Sequence, residues 1–123
     1  MQLTKNFNSV EFDCKDGTKV PKYLLPNLRR LAKNLQVLRD ELGVPIHILS
    51  GYRTVKHNKA IGGRPASMHL KAIAADMACK EYTAEMIQNK IEELIKEGKM
   101  QEGGLGKYKT FTHYDVRNYK ARW

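Results

Sequence analysis

Leu24, Leu25, Leu28, Leu31, Ala32, Leu35, Leu38 and Leu42 recur at three- and four-residue spacing. That period lays them on one stripe of an α-helix, with polar side chains on the opposite side. Pro26 falls in the first turn, where a missing N–H costs little. Gly43 and Pro45 end the helix. The next segment, PIHILS at 45–50, is short, alternating and branched, which predicts a strand. Residues 51–66 carry Gly62, Gly63 and Pro65 among Arg, Lys and Asn, and read as a long loop. A loop of that length in a compact domain is usually functional or disordered. IAADMA, residues 73–78, suits a central strand. Thr83 then offers an N-cap for a second helix with Met86, Ile87, Ile91, Leu94 and Ile95 as its apolar stripe, and Gly98 suits its C′ position. GGLG at 103–106 predicts a turn, and TFTHYDV at 110–116 a last strand. Residues 1–20 read as loop with a short turn near Ser9 to Phe12. The expected fold class is α+β: two main helices packed on a small, mainly antiparallel sheet, forming one domain over residues 1–123.

Composition narrows the class without deciding the function. The chain has 123 residues, 41% hydrophobic and 28% charged, as in a soluble globular protein. Its 22 Lys+Arg against 13 Asp+Glu leave a formal charge of +9, which favours polyanionic partners such as nucleic acid or an anionic bacterial cell wall. The charge is spread along the chain, and simple solubility accounts for it too. Cys14 and Cys79 stand far apart and form no CxxC pattern, so neither a disulfide framework nor a Cys-rich zinc site is expected. The N-terminus MQLTKNFNSVEF has no apolar run of signal-peptide type, and no stretch suits a membrane span. Synthesis in a cytoplasm is therefore expected, with action elsewhere after release or delivery.

The segment SMHLKAIAAD, residues 67–76, sets His69 and Asp76 seven positions apart. Seven residues of helix rise about 10 Å, too far for two short side chains to share an ion. In one straight strand they would lie more than about 20 Å apart and on opposite faces. They meet only if the chain bends between them, and the small residues Ala72, Ala74 and Ala75 permit a bend. On spacing alone a structural role for the pair is the commoner outcome. HYDVR, residues 113–117, adds His113, Asp115 and Arg117 on one face of a strand by two-residue alternation. A solvent-facing edge explains that trio as well as a site does. Two histidines and a carboxylate would nonetheless make a zinc set with one open position.

Separated pieces then occur in a recognisable order. SGYRTVKHNKAIGG at 50–63, SMHLKAIAAD, and GGLGKYKTFTHYDVR at 103–117 resemble the zinc D-Ala-D-Ala peptidases and the related phage L-alanyl-D-glutamate endolysins, whose metal site is shared by hedgehog domains. Ser67, His69, Ala74 and Asp76 match the motif SxHxxGxAxD, and the later segment is similar to GGxGxYxxFxHxDxR. The helix ahead of these pieces also falls where the family has one. The resemblance implies zinc as cofactor, with His69, Asp76 and His113 as ligands. It implies that Arg53 holds a carboxylate or backbone oxygen of the substrate, that Ser67 hydrogen-bonds the substrate or the ligand loop, and that His57 and Asn58 order the loop over the site. His47 is expected to be structural. Ala72 stands where the motif has Gly, a replacement that costs on the order of 1 kcal/mol if the backbone there is left-handed. Thr110 stands where related peptidases carry an acidic general base. Asp115 is the first candidate for that role, with support of a ligand or of Arg as its other use. Glu102 is a further candidate.

The function implied is a zinc metallopeptidase that hydrolyses peptide bonds of bacterial peptidoglycan, of carboxypeptidase or endopeptidase type, in phage-like cell-wall lysis. Its partner would be a stem or cross-bridge peptide, without nucleic acid or membrane insertion, and nothing requires more than a monomer. The replacement at Thr110 favours a different class, a non-catalytic zinc-containing wall-binding or phage structural module. A small basic nucleic-acid-binding protein is a third class, but no helix-turn-helix, RNP-like or zinc-finger pattern supports it.

Overall fold

A computed structural model describes residues 1–123. In chain order the elements are helix α1 (Leu25–Leu42), strand β1 (His47–Ser50), helix α2 (Val55–Ala60), strand β2 (Ala74–Ala78), helix α3 (Ala84–Lys96), and strands β3 (Gly104–Lys107), β4 (Thr112–Asp115) and β5 (Ala121–Arg122). Short 3-10 turns occupy Ser9–Phe12, Lys22–Leu24 and Met68–Lys71. The five strands form one sheet in the order β1-β2-β4-β3-β5, antiparallel except for the β3–β5 pair. The fold is thus α+β, with two main helices and a mainly antiparallel sheet. No helix is long and apolar enough to cross a membrane.

The leucine stripe of α1 supplies the core. Leu28, Leu31, Ala32, Leu35 and Leu38 have no exposed surface. Burying a side chain of leucine size is worth about 1.5–3 kcal/mol. They form one cluster with Ile87, Ile91 and Leu94 of α3 and with Ala75, Met77, Leu105 and Tyr114 from the sheet. Gly43 ends α1 in the left-handed conformation, φ 70°, with its N–H on the Arg39 carbonyl. Thr83 caps α3 through its hydroxyl, which accepts the Met86 N–H at 3.2 Å.

Strand alternation splits the sheet into two faces. Ala75, Met77, Leu105 and Tyr114 belong to the core, so Asp76 and His113, one position away, face the other side. On β1 the register shifts between Ile48, opposite Met77, and Ser50, opposite Asp76. The irregularity turns Ser50 away from the face of Ile48 and onto the face of Asp76.

Four details depart from the pattern-based reading. The segment read as a loop contains α2, a helix of six residues without an apolar stripe. Its signal was local: Thr54 accepts the His57 N–H at 3.1 Å. GGLG is mostly strand β3 rather than a turn, and its glycines serve close approach. A Cβ on Gly104 would collide with the Asp115 carboxylate, and one on Gly106 would lie 2.7 Å from the Trp123 indole nitrogen. The strand over TFTHYDV is not the last, because β5 follows it. On α3, Met86 is exposed, while Gln88 is buried and donates to the carbonyls of Tyr108 at 3.0 Å and Phe111 at 3.4 Å.

Candidate metal centre

Asp76 on β2 and His113 on β4 are directly paired across the ladder. Side chains at such positions project from the same face about 5 Å apart. The strand pairing therefore brings together two residues 37 positions apart in the chain. His69 reaches them from the 3-10 turn Met68–Lys71. The bend that this needs lies at Ala72, the sole non-glycine residue with positive φ, at 57°. That conformation explains a glycine in the family motif. Alanine adopts it at a cost of roughly 1–2 kcal/mol.

Three potential ligand atoms converge. His113 Nδ1 lies 3.0 Å and His69 Nε2 3.4 Å from Asp76 Oδ1. The two imidazoles meet edge to face with centroids 5.2 Å apart. All three side chains are buried, and their ligand atoms lie within 4.8 Å of one another.

The orientation of each ring is imposed from behind. His69 Nδ1 is 2.7 Å from the Gly51 carbonyl, which can only accept, so this nitrogen carries the hydrogen. His113 Nε2 is 2.7 Å from Asp115 Oδ2, an ionised carboxylate that likewise accepts. Without a hydrogen on them, His69 Nε2 and His113 Nδ1 can turn their lone pairs to a common cation. A carbonyl or carboxylate behind each ligating histidine is a common support of metal sites. Two imidazole nitrogens and a carboxylate oxygen fit a divalent zinc ion with a fourth position facing the cleft.

The charges of these residues follow from the same contacts. Burial opposes ionisation of Asp76, but hydrogen bonds from His113 and His69 outweigh it and hold the carboxyl well below the usual range. Burial disfavours the charged His113 as well, yet the bonds to Asp115 and Asp76 raise its pKa above the ordinary 6.5.

Of the two roles expected for Asp115, general base and support of a ligand or of Arg, its surroundings favour the second. Its carboxylate has no exposed surface and lies behind His113. Five donors surround it. The N–H groups of Gly104 and Arg117 and the Arg117 Nε reach Oδ1, while His113 Nε2 and Arg117 Nη2 reach Oδ2. Burial would raise its pKa, but the bonds from His113 and Arg117 hold it well below the usual range. A saturated, strongly acidic carboxylate that does not face the cleft is poorly placed to act as general base. Its geometry is that of support for His113. The other candidates are no better placed. Thr110 is exposed, and Glu102 is bound to Arg122 at 2.8 Å and to the Gly103 N–H.

The remaining residues singled out in the sequence fall near the site, with two exceptions. Arg53 lines the cleft and contacts Asp76 Oδ2 at 3.3 Å, Ser50 Oγ at 3.2 Å and Asn58 Oδ1 at 3.2 Å. Asn58 also donates to the Arg64 carbonyl, and Gly63 packs so closely on it that a Cβ there would collide. Ser67 lines the cleft and caps the His69 turn, its hydroxyl 3.3 Å from the His69 N–H. His57 lies on α2 and outside the cleft lining. His47 is the other exception, exposed at the start of β1.

Above the three ligand candidates opens a cleft of about 640 Å³. Arg53, Arg64 and Arg117 make it cationic, and Tyr108, Phe111, Tyr119 and Trp123 give it an aromatic wall. Tyr108 and Phe111 stack at 4.3 Å, and Trp123 sits 4.9 Å from His113 and donates from Nε1 to the Tyr108 hydroxyl. The Arg117 guanidinium lies over both the Trp123 and Tyr119 rings. The wall was not identified from sequence, because Trp123 follows His113 with no period linking them. The single available signal was the aromatic richness of residues 108–123.

A family model described as Peptidase M15 matches residues 3–115. Among curated proteins none matches the chain.

Proposed function

Because the chain belongs to the peptidase M15 family, a family of metallopeptidases, we propose that it is a zinc-dependent hydrolase of peptide bonds in bacterial peptidoglycan. His69, Asp76 and His113 are its metal ligands in this reading. The observation that carries it is the convergence of their three donor atoms on one point below a cationic cleft. Zinc, when bound there, supplies a Lewis acid for the scissile carbonyl and acidifies a water molecule.

The chain supplies the rest. Gly51 and Asp115 hold the two imidazoles in the ligating tautomers. Arg53 steadies the second oxygen of Asp76. Arg64 and Arg117 attract carboxylates, and peptidoglycan stem peptides end in one and can carry others. Tyr108, Phe111 and Trp123 provide an apolar wall against which a peptide side chain or sugar face excludes water. The charge of +9 favours adsorption to an anionic wall. A small lytic enzyme of phage type, one domain acting as a monomer, is the finer form of the proposal, with either endopeptidase or carboxypeptidase action.

One observation favours a second reading. Asp76 is the single carboxylate lining the cleft, so a dedicated carboxylate base is missing there. A zinc-containing module that binds wall peptides without cutting them needs no base. Mass spectrometry of muropeptides after digestion separates the two. New peptide ends that disappear with a chelator support the hydrolase. Intact muropeptides together with retention of the protein on the wall support the module.

A further inference from the structure

We propose a second cation site, outside the cleft, formed by Cys14 Sγ, the Asp16 carboxylate and a ring nitrogen of His57, that takes a borderline-soft divalent ion such as zinc. It does not depend on the proposed peptidase activity. The three residues come from two separate segments, a tight turn near the N-terminus and the first turn of α2. Their potential ligand atoms lie within 4.8 Å of one another. The turn is closed by the Cys14 N–H on the Thr18 carbonyl and the Gly17 N–H on the Cys14 carbonyl, both at 2.9 Å. It therefore presents thiol and carboxylate from a fixed backbone.

Thr54 joins the two halves. Its hydroxyl donates to Asp16 Oδ2 at 2.8 Å and accepts the His57 N–H at 3.1 Å. Cys14 is 3% exposed, and its thiol lies 3.9 Å from the Thr54 hydroxyl, a weak contact for sulfur. Cys14 as a small core residue explains its burial, but not an Asp and a His converging on the same sulfur.

The donor set selects the ion. One thiolate, one imidazole and one carboxylate suit zinc in tetrahedral geometry, with water or the Thr54 hydroxyl as fourth ligand. An oxygen-seeking ion such as calcium or magnesium would not choose a thiolate. Binding removes the thiol proton, which leaves to solvent. An ion here ties the N-terminal turn to α2. Helix α2 carries Asn58, which holds Arg53, which in turn contacts Asp76. Occupancy of this site therefore stiffens the support of the cleft from its outer side.

Cobalt(II) titration of the chelator-stripped full chain tests the proposal, because the site at Asp76 contains no sulfur. The expected result is two equivalents bound, one of them with a near-ultraviolet sulfur-to-cobalt charge-transfer band. His57→Ala and Cys14→Ser lose that band and its equivalent, with helix content unchanged by circular dichroism. Cys79→Ser keeps both, and His69→Ala loses the other equivalent while keeping the band. If Cys14→Ser fails to fold, the half-exposed His57 carries the test alone. Absence of the band in the wild-type protein, its survival in His57→Ala, or its loss in Cys79→Ser would each overturn the proposal.

Discussion

His113 Nδ1 stands 3.0 Å from Asp76 Oδ1 because the two residues are direct partners on β4 and β2. The contact is a product of strand register, and a slip of either strand by one residue would turn that strand's side chain toward the core and part the pair. Neither side chain belongs to the core cluster that α1 and α3 cover. His113→Ala and His69→Ala are therefore expected to abolish cation binding between these residues, and turnover with it, while leaving helix content intact. Circular dichroism beside metal analysis checks this. Full retention of the cation in either variant would remove that histidine from the site.

In the proposed reading Asp115 would bear on the cation only through His113. Asp115→Asn keeps the size of the side chain but loses the charge that fixes the His113 tautomer and holds Arg117. Removing such a support weakens metal affinity about 10–100-fold. Stability falls as well, by at most the roughly 3–5 kcal/mol seen for a broken buried pair, since Arg117 itself reaches the cleft. A competition titration with a coloured chelator measures the affinity. An Asp115→Asn variant with wild-type affinity and no turnover would instead restore Asp115 as a base.

Gly104 has no room for a side chain. Its Cβ would press on the carboxylate of Asp115. Gly104→Ala is expected to destabilise the protein by about 1–3 kcal/mol, as overpacking does, and to weaken cation binding because it displaces the support of His113. Chemical denaturation and metal titration of the one variant read both effects. An unchanged midpoint would show that the strand yields without disturbing Asp115.

The strands and the candidate ligands were legible in the sequence to different degrees. The α1 stripe was readable because eight apolar positions repeat with one period. The candidate ligand trio was readable only as a motif, since no regular geometry brings His69 to Asp76. The left-handed bend at Ala72 and the pairing of β2 with β4 are both non-local facts. Helix α2 was hidden because it buries no apolar face, and β3 because its glycines, kept for contact with Asp115 and Trp123, look like turn residues. The role first expected for Asp115 came from counting acids along one strand face. That count carries no information about the five donors that close around the carboxylate.

His113 gives the metal-free protein a pH dependence of defined sign. Its folded pKa lies above the ordinary 6.5, so the folded state holds the proton more tightly than the unfolded chain. The resulting stabilisation is fully present below pH about 6.5 and is lost as pH rises through the folded pKa. Cation binding runs the other way, because the proton on Nδ1 must leave first. Thermal unfolding of chelator-treated protein from pH 5 upward should show this contribution shrinking, and it should be missing from His113→Ala. The affinity for zinc should rise over the same interval. A wild-type and His113→Ala pair with parallel pH profiles would refute the assignment.

The most direct measurement is an anomalous difference map from crystals grown with zinc. The account predicts a peak bonded to His69 Nε2, the Asp76 carboxylate and His113 Nδ1, with one coordination position open to the cleft. A map with no peak among those three side chains at saturating zinc would contradict it.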